Sequence, residues 1–253
     1  GWLHAYKEGG WIPKWAAPGY RQGMVGTMAD VSFADAIVKD IPGVDQDLAY
    51  EAIRKDAFES PPVGEQGIGR VCLDGYIEHG FIPNDSPMTT GGNCYEVTSR
   101  TLNYQQADWA TAQAAKKLGK LDDYHTLSQR AGNFSLVFDG TSTGGFFRSK
   151  NSEGKYAKEF DSIAWGGDYT EAGPHQYRFY VPWDPQALKK VYAKAGLDMC
   201  EELVNTMTMS SAFHIGNYGS EIHEQTEMAA NCFGQFEFNN QPVHHMLYMF
   251  GGY

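Results

Sequence analysis

The sequence predicts an all-α fold, and three observations lead to this prediction. Several segments place apolar residues at the three- and four-residue spacing of a helix, whereas strand patterns are short and weak. The connections between them are long and rich in Gly, Pro and aromatic residues, at 9–23, 59–95, 139–184 and 210–242. Antiparallel helices joined by long loops are typical of helical arrays such as an α/α toroid, in which loops carry the function. We expect residues 1–253 to form part of one domain without an internal boundary.

The first two predicted helices follow an aromatic-rich opening loop. Residues 28–41 carry Val31 and Val38 on one apolar face. Residues 45–58 form the next helix. Asp45 is its expected N-cap because a carboxylate can accept hydrogen bonds from the free N–H groups of the first turn.

The strongest helical pattern covers residues 98–120. Trp109 belongs to its apolar stripe, and Gly119 stands where a glycine commonly ends a helix. The next helix is predicted over residues 121–134, with Asp122 as its cap.

Two more helices are predicted in the second half of the chain. Residues 183–196 combine an N-cap aspartate, Asp184, with a first-turn proline, Pro185, and a closing glycine, Gly196. Residues 198–207 continue the helical series.

Composition and charge argue against several classes of protein. Hydrophobic residues make up 42 % of the 253 residues, enough to build a core, which argues against wholesale disorder. The formal net charge of −11 would repel a phosphate backbone, so we expect no nucleic-acid partner. No apolar run approaches the roughly 20 residues of a membrane helix.

The cysteines and the start of the chain bear on the cellular compartment. Cys72, Cys94, Cys200 and Cys232 form no CxxC pair, which disfavours a zinc ribbon. They could form two disulfides, in three alternative connectivities, or remain thiols. The chain begins at Gly1 without a signal-peptide pattern, so we expect it to be processed, trimmed or a fragment. Two glycosylation sequons slightly favour a secreted or lumenal protein.

A candidate general acid stands in the stretch 168–184. Glu171 lies in a Gly- and Pro-containing loop, ahead of His175, Gln176 and several tyrosines. Aromatic surroundings strip water from a carboxyl and raise its pKa. A carboxyl still protonated near neutrality can protonate a glycosidic oxygen. A solvent-exposed loop glutamate accounts for the same pattern, and both interpretations stay open.

A candidate sugar site lies in the opening loop, residues 9–26. Trp11, Trp15 and Tyr20 are carried on a segment stiffened by proline, and Arg21 follows them. A rigid aromatic wall with nearby hydrogen-bond donors suits a pyranose ring. A loop that its tryptophans pin to the protein would show the same pattern.

The final stretch, residues 238–250, contains hard oxygen donors and two adjacent histidines. The side-chain oxygens of Asn239, Asn240 and Gln241 suit Ca²⁺ rather than Zn²⁺. Adjacent histidines do not share a helix face, so they lack the i, i+4 spacing of a zinc site. We interpret the amides as ligands of a hard cation or of sugar hydroxyls, and one histidine as packed or hydrogen-bonded.

Four stretches in order carry a resemblance that covers nearly the whole chain: GGWIPKWAAPGYRQGMVGTMADVSFADAIVKDI, SRTLNYQQADWATAQAAKKLGKLDDY, EAGPHQYRFYVPWD and NNQPVHHMLYMF. They resemble the calcium-dependent exo-acting α-mannosidases of glycoside hydrolase family 92. The resemblance implies part of an (α/α)6 toroid, normally preceded by a β-sandwich domain. It also implies removal of terminal α-linked mannose with inversion, aided by a Ca²⁺ ion that holds the sugar hydroxyls.

The resemblance assigns roles to particular positions. Glu171 aligns with the general acid, and Asn240 aligns with an asparagine of the calcium-binding segment, where Asn239 could join it as a ligand. Trp11 and Trp15 would shape the sugar pocket. The other expected substrate contacts are Arg21, Gln176, Phe238 and Asn239.

The chain departs from the family pattern at several positions. Residues 172–175 replace the usual Gly-Asn-Ala-Trp after the acid, Gln241 replaces a glutamate, and Phe238 stands where many members carry histidine. The expected catalytic base is an aspartate beyond the His-His stretch, outside these 253 residues, and an inverting enzyme needs such a base. We expect the rest of the same polypeptide, or a partner chain, to complete the toroid.

The departures leave two alternatives beside a mannosidase that acts on a mannose-containing glycan. One is a catalytically inactive relative that binds mannose or serves in structure or assembly. The other is a mannosyl phosphodiester hydrolase, in which acid assistance matters less because phosphate is a good leaving group.

Overall fold

The structure is a computed structural model that describes residues 1–15, 19–21, 23–88 and 91–251. Its regular structure in these ranges is almost entirely helical, which confirms the all-α prediction. The α-helices are α1 (Trp2–Gly9), α2 (Met28–Val38), α3 (Gln46–Phe58), α4 (Leu73–His79), α5 (Val97–Lys117), α6 (Leu121–Ala131), α7 (Pro174–Tyr177), α8 (Pro185–Lys194), α9 (Met199–Thr208), α10 (His223–Asn231) and α11 (Met246–Met249). Short 3-10 helices cover Gly132–Val137, Gly216–Tyr218 and Gln241–Val243.

The described chain divides into two compact units. The first comprises Gly1–Cys94 and Arg100–Leu136, and the second comprises Tyr95–Ser99 and the residues from Val137 onward. The assignment of residues 1–253 to one helical domain without an internal boundary stays a prediction.

Most predicted helix ends agree with the structure. The side chain of Asp45 accepts from the Leu48 N–H at 3.1 Å, and Asp184 caps α8 in the same way. Gly119 and Gly196 have φ angles of 74° and 77°, the left-handed conformation that ends a helix. The predicted cap of α6 is wrong, because α6 begins at Leu121 and places Asp122 in its first turn.

Short helices escaped the sequence prediction. Helix α4 lies within the predicted loop 59–95, and α10 lies within the predicted loop 210–242. An element of seven to nine residues shows too few turns for a clear period, so its pattern resembles that of a loop.

The core of the first unit lies between α2, α3 and α5. Alanines at many contact positions let these helices approach closely. The buried cluster consists of Ala34, Ile37, Ala49, Tyr50, Ile53, Ala110, Ala114 and Ala115. Val38 and Trp109, predicted on apolar faces, are 41 % and 38 % exposed and line a groove along α2 and α5.

A disulfide joins Cys72 to Cys94 in the first unit, and Cys200 and Cys232 remain thiols. Of the alternatives left open by the sequence, the structure therefore shows one bridge. It ties the start of α4 to the end of the loop that follows it.

The second unit contains a small hairpin in which β1 (Phe138–Asp139) pairs antiparallel with β2 (Phe146–Phe147). The guanidinium of Arg178 donates to the carbonyl oxygens of Gly144 and Gly145 and pairs with Glu202 of α9 at 2.7 Å. The hairpin turn is thereby fixed to the helical part of its unit. No helix within the described part of the chain combines the length and apolar composition that a bilayer crossing requires.

Candidate active site

Glu171 lies on a tight loop in the second unit, just before α7. The loop closes through the Gly166 N–H, which donates to the Ala172 carbonyl oxygen at 2.9 Å. Glu171 has a φ of 47°, in the left-handed region that residues with a side chain seldom adopt. Because surrounding structure must impose such a conformation, the contacts of this backbone matter.

Side chains from distant positions hold the backbone of Glu171. The Tyr218 hydroxyl oxygen accepts from the Glu171 N–H at 2.6 Å. The Asn240 side-chain amide donates to the Glu171 carbonyl oxygen at 3.1 Å. One residue earlier, the Ser99 hydroxyl oxygen accepts from the Thr170 N–H at 3.0 Å. Both backbone polar groups of Glu171 are therefore held, which fixes where its side chain leaves the loop.

The surroundings of the Glu171 carboxyl favour its protonated form. Burial raises the pKa of Glu171, and the negative charge of Glu224 on α10 raises it further. The Asn240 amide and His223 act in the opposite direction. A carboxyl with a raised pKa remains a proton donor at a higher pH than an exposed glutamate does.

Glu237 is buried near this carboxyl. Its side chain is fully buried, and neither carboxyl oxygen has a hydrogen-bond partner of normal geometry among the described residues. Burial raises the pKa of Glu237 to about 9; the Asn240 amide opposes this shift, and Glu224, Glu171 and Glu227 add to it. Because an ionised carboxyl buried with so little hydrogen bonding is costly, a nearby positive charge would lower that cost.

The amide and carbonyl oxygens around Asn240 are of the kinds that Ca²⁺ takes as ligands. The Asn240 side-chain oxygen accepts from the Gln241 N–H at 2.9 Å and keeps a second lone pair. The Asn239 amide nitrogen donates to the Glu224 carbonyl oxygen at 3.4 Å. Throughout the described ranges, no three His, Cys, Asp or Glu side chains converge on a metal position. A site here would therefore join the Glu237 carboxylate to amide and carbonyl oxygens, a set that Ca²⁺ accepts.

The residues after Glu171 anchor the loop. The Gln176 side-chain oxygen accepts from the Gly173 N–H at 2.8 Å, and its amide nitrogen donates to the Gln235 carbonyl oxygen at 2.8 Å. His175 packs edge-on against the ring of Phe146, and burial lowers its pKa to about 3, so it stays neutral. A substrate contact by Gln176 stays a prediction.

The two histidines of the final stretch each bond to a backbone carbonyl. His244 donates from Nε2 to the Phe238 oxygen at 3.0 Å, and His245 donates to the Phe179 oxygen at 2.7 Å, the carbonyl partners indicating the tautomer. Both are thus hydrogen-bonded residues. Phe238 and Asn239 are exposed, and their expected substrate and metal contacts stay predictions.

The aromatic residues of the opening loop belong to the first unit. Trp11 is 7 % exposed and has the Lys55 ammonium 4.5 Å from its ring centroid, so it pins the loop. Trp15 is 40 % exposed, with the Arg21 guanidinium 5.7 Å from its ring. Residues 16–18 and 22 of this loop lie outside the described residues. Trp15 and Arg21 are exposed, and their substrate contacts stay predictions. Trp11 holds the loop against the protein, and its predicted place in a sugar pocket also stays a prediction.

The first unit also buries a group of charges that the sequence did not reveal. Arg70 is fully buried, pairs with Asp30 at 3.0 Å and with Asp108, and Tyr76 donates to Asp108 at 2.8 Å. Asp56 is buried beside them, and burial raises its pKa well above the usual value. The raised pKa favours the protonated form of Asp56, which limits the negative charge buried here.

Sequence reasoning missed Tyr218, Glu224 and Glu237. A signal existed for one of them. Tyr218 lies between two glycines, at 216 and 219, a pattern typical of a tight turn.

Comparison with protein families adds independent information. A model described as the glycosyl hydrolase family 92 catalytic domain matches residues 1–252. A protein of Arthroderma benhamiae, described as an uncharacterized secreted glycosidase, is 33 % identical over 212 residues, which are 74 % of this chain and 27 % of that protein.

Two solved structures from Bacteroides thetaiotaomicron are similar in fold. A family GH92 inverting mannosidase has a TM-score of 0.79 and 31 % identity, over 98 % of this chain and 32 % of its own. A family GH92 α-mannosidase in complex with mannoimidazole has a TM-score of 0.80 and 30 % identity, over 98 % of this chain and 31 % of its own.

The chain thus spans about a third or less of the length of these relatives. The helical fold of their catalytic domain is shared over nearly all of the residues given, which confirms the expected fold class, part of a helical toroid. On the match over residues 1–252 and these likenesses, the chain belongs to glycosyl hydrolase family 92.

Proposed function

We propose that the protein hydrolyses terminal α-linked mannose from glycans, with inversion at the anomeric carbon, and that Glu171 is its general acid. The observation that carries this proposal is the half-buried Glu171 carboxyl, held on a left-handed backbone that Tyr218 and Asn240 fix from both sides. Two family members described as mannosidases share the fold at about 30 % identity.

In the proposed reaction, a water oxygen forms a bond to the anomeric carbon while the bond to the glycosidic oxygen breaks. The proton of the Glu171 carboxyl passes to the departing oxygen, and the Glu171 carboxylate remains. The attacking water gives its proton to a base on the opposite face of the sugar, which we expect outside these residues. The raised pKa of Glu171 supports the donor role.

We extend the proposal to a Ca²⁺ ion held by Asn240, Asn239 and Glu237. When bound, the ion would fix sugar hydroxyls and offset the negative charge of the nearby carboxyls. The buried Glu237 carboxyl, which has no hydrogen-bond partner of normal geometry among the described residues, supports it, because a cation can pair with such a group. Exposed Trp15, Arg21 and Phe238 remain proposed substrate contacts.

We propose a secreted or lumenal location for the protein. The Cys72–Cys94 bridge supports this, since disulfides persist in oxidising compartments. The Arthroderma benhamiae relative is described as secreted.

The test is release of mannose by the full-length protein from α-1,2-, α-1,3- and α-1,6-linked disaccharides, with Ca²⁺ and with EDTA. Glu171→Gln is compared with Glu153→Gln, which changes an exposed glutamate of the same unit. We expect release that EDTA and Glu171→Gln abolish and Glu153→Gln leaves unchanged.

Other outcomes separate the alternatives. Mannose binding without release from any linkage would replace the mannosidase by a non-hydrolytic mannose binder. Activity of Glu171→Gln on a mannosyl phosphodiester, beside inactivity on disaccharides, would favour the phosphodiester hydrolase.

A further inference from the structure

Tyr218 reaches the backbone of Glu171 from 47 residues away. Its hydroxyl oxygen accepts from the Glu171 N–H at 2.6 Å. Burial raises the pKa of the Tyr218 hydroxyl to about 12, so it remains neutral and hydrogen-bonding over the working range of pH. This contact is made to the backbone of the proposed acid and not to its carboxyl.

The segment that carries Tyr218 is hydrogen-bonded to the segment that precedes the loop of Glu171. We call this loop, closed between Gly166 and Ala172, the acid loop. The His214 N–H donates to the Ile163 carbonyl oxygen at 2.9 Å, the Trp165 N–H returns a bond to the His214 oxygen at 3.2 Å, and the Asn217 N–H donates to the Trp165 oxygen at 2.9 Å. The two segments are also joined by their side chains, because the His214 Nδ1 atom lies 2.5 Å from a carboxylate oxygen of Asp161. The two segments therefore form one parallel pair, and Tyr218 follows directly after it.

Gly216 makes this approach feasible. It has a φ of 64°, and a Cβ atom at this position would overlap the Trp165 carbonyl oxygen. The ring of Tyr218 then lies against Gly166, where an added Cβ would be 3.2 Å from a ring carbon. Glycines at both positions bring the hydroxyl to the acid loop and leave its ring little freedom to move.

The backbone of Glu171 needs such support. The left-handed conformation strains a residue that has a side chain, and such a residue relaxes when the contacts that impose the conformation are lost. A change of φ at Glu171 would swing the carboxyl away from its present direction. The Asn240 amide bonds the carbonyl oxygen of Glu171, whereas the Tyr218 hydroxyl bonds its N–H. Loss of Tyr218 would therefore release the N–H and leave the carbonyl oxygen bonded.

We propose that Tyr218 is a positioning residue for the general acid, whose hydroxyl holds Glu171 in the left-handed conformation that directs its carboxyl at the departing oxygen. This inference rests on the proposed function. It assigns Tyr218 no contact with the reacting atoms. Its loss should therefore weaken proton donation and leave the other steps intact.

The test compares kcat/KM for two α-mannosides in the full-length protein. One has a 2,4-dinitrophenyl leaving group, which departs without a proton, and one has a methyl leaving group, which needs the acid. The variants are Tyr218→Phe, Glu171→Gln and Tyr156→Phe. Tyr156 is the matched control, because its hydroxyl donates to a backbone carbonyl oxygen of the same unit, that of Phe138 at 2.8 Å, and not to the backbone of Glu171.

For Tyr218→Phe we expect a loss of about 10- to 100-fold on the methyl mannoside and little change on the dinitrophenyl mannoside, since misplacing a catalytic group by about 1 Å costs on this order. Tyr156→Phe should leave the ratio of the two values unchanged. This ratio does not depend on how much of a variant is folded, so reduced stability cannot imitate the result.

One result would overturn the inference and leave the proposed function standing. It is a Tyr218→Phe ratio equal to that of Tyr156→Phe, whether both values are unchanged or both fall by the same factor, while Glu171→Gln shows a strong leaving-group dependence. If Glu171→Gln itself shows no leaving-group dependence, the acid assignment fails, and the role of Tyr218 fails with it.

Discussion

The side-chain amide of Asn240 donates to the carbonyl oxygen of Glu171 at 3.1 Å. The residue expected to bind the cation thus touches the residue expected to donate the proton. Asn240 is 5 % exposed, and its side-chain oxygen also caps the 3-10 helix Gln241–Val243. One side chain therefore links the acid loop to the final stretch of the sequence, and changing it should affect both proposed functions.

We expect Asn240→Leu, which keeps the approximate shape of the side chain, to lower kcat/KM on a methyl α-mannoside by about 100-fold, because the acid loses one of its two backbone anchors. The Asn240 amide also lowers the pKa of Glu171. Its removal should therefore move the alkaline limb of the pH–rate profile to higher pH. Asn205→Leu makes the same change on an exposed face of α9 and should alter neither kcat/KM nor the pH–rate profile. An unchanged profile in Asn240→Leu would contradict the expected coupling.

Removing the charge of Glu224 should move the alkaline limb of the pH–rate profile to lower pH. Glu224 is 9 % exposed, and its negative charge raises the pKa of Glu171. In Glu224→Gln this charge is absent, so Glu171 loses its proton at a lower pH, and activity that needs the protonated acid should decline at lower pH. The measurement is kcat/KM against pH, with Glu201→Gln, an exposed glutamate of α9, as the control. A shift to higher pH would show that Glu224 does not act through its charge.

Local signals predicted much of the helical framework and made Glu171 a candidate acid. The caps Asp45 and Asp184 need only a short stretch of sequence to act, and the Gly- and Pro-containing loop around Glu171 is visible in the same way. Tyr218 could not be predicted as a neighbour of Glu171, because their contact depends on the pairing of two segments about 50 residues apart along the chain.

Burial was the other property that the sequence concealed. Glu237 lies among polar and aromatic residues in a predicted loop, yet it is fully buried. Asp56 follows a lysine near the end of a helix, a position that usually faces solvent, and it is also buried. Burial of a carboxyl depends on tertiary packing around it, which composition and period do not report.

The Cys72–Cys94 bridge should contribute measurably to stability. Its partners are separated by 22 positions, and closing a loop of this size in the unfolded chain is worth about 3 kcal/mol. We expect the double variant Cys72→Ser, Cys94→Ser to lose about this much free energy of unfolding in urea, and reduction of the wild type to give the same loss. Cys200→Ser with Cys232→Ser is the control and should leave the effect of reduction in place. A wild type insensitive to reduction would contradict the bridge.

The last prediction concerns Glu237 and calcium, and its measurement does not depend on activity. The Glu237 carboxyl is buried without a hydrogen-bond partner of normal geometry, and nearby carboxyls disfavour its ionised form. A bound cation would pair with that ionised form and stabilise it. We expect Ca²⁺ to raise the melting temperature of the EDTA-treated protein, since a ligand that binds only the folded state stabilises it.

Glu237→Gln should retain the fold, because the amide is neutral and of the same size, but should lose most of the Ca²⁺-induced rise in melting temperature. Glu153→Gln, an exposed change of the same kind, should retain the full rise. Calorimetric titration of the EDTA-treated protein with Ca²⁺ should show weaker binding in Glu237→Gln than in the wild type. Equal Ca²⁺ affinity in the two proteins would remove Glu237 from the proposed site, and the ion would then be held by amide and carbonyl oxygens and other carboxylates.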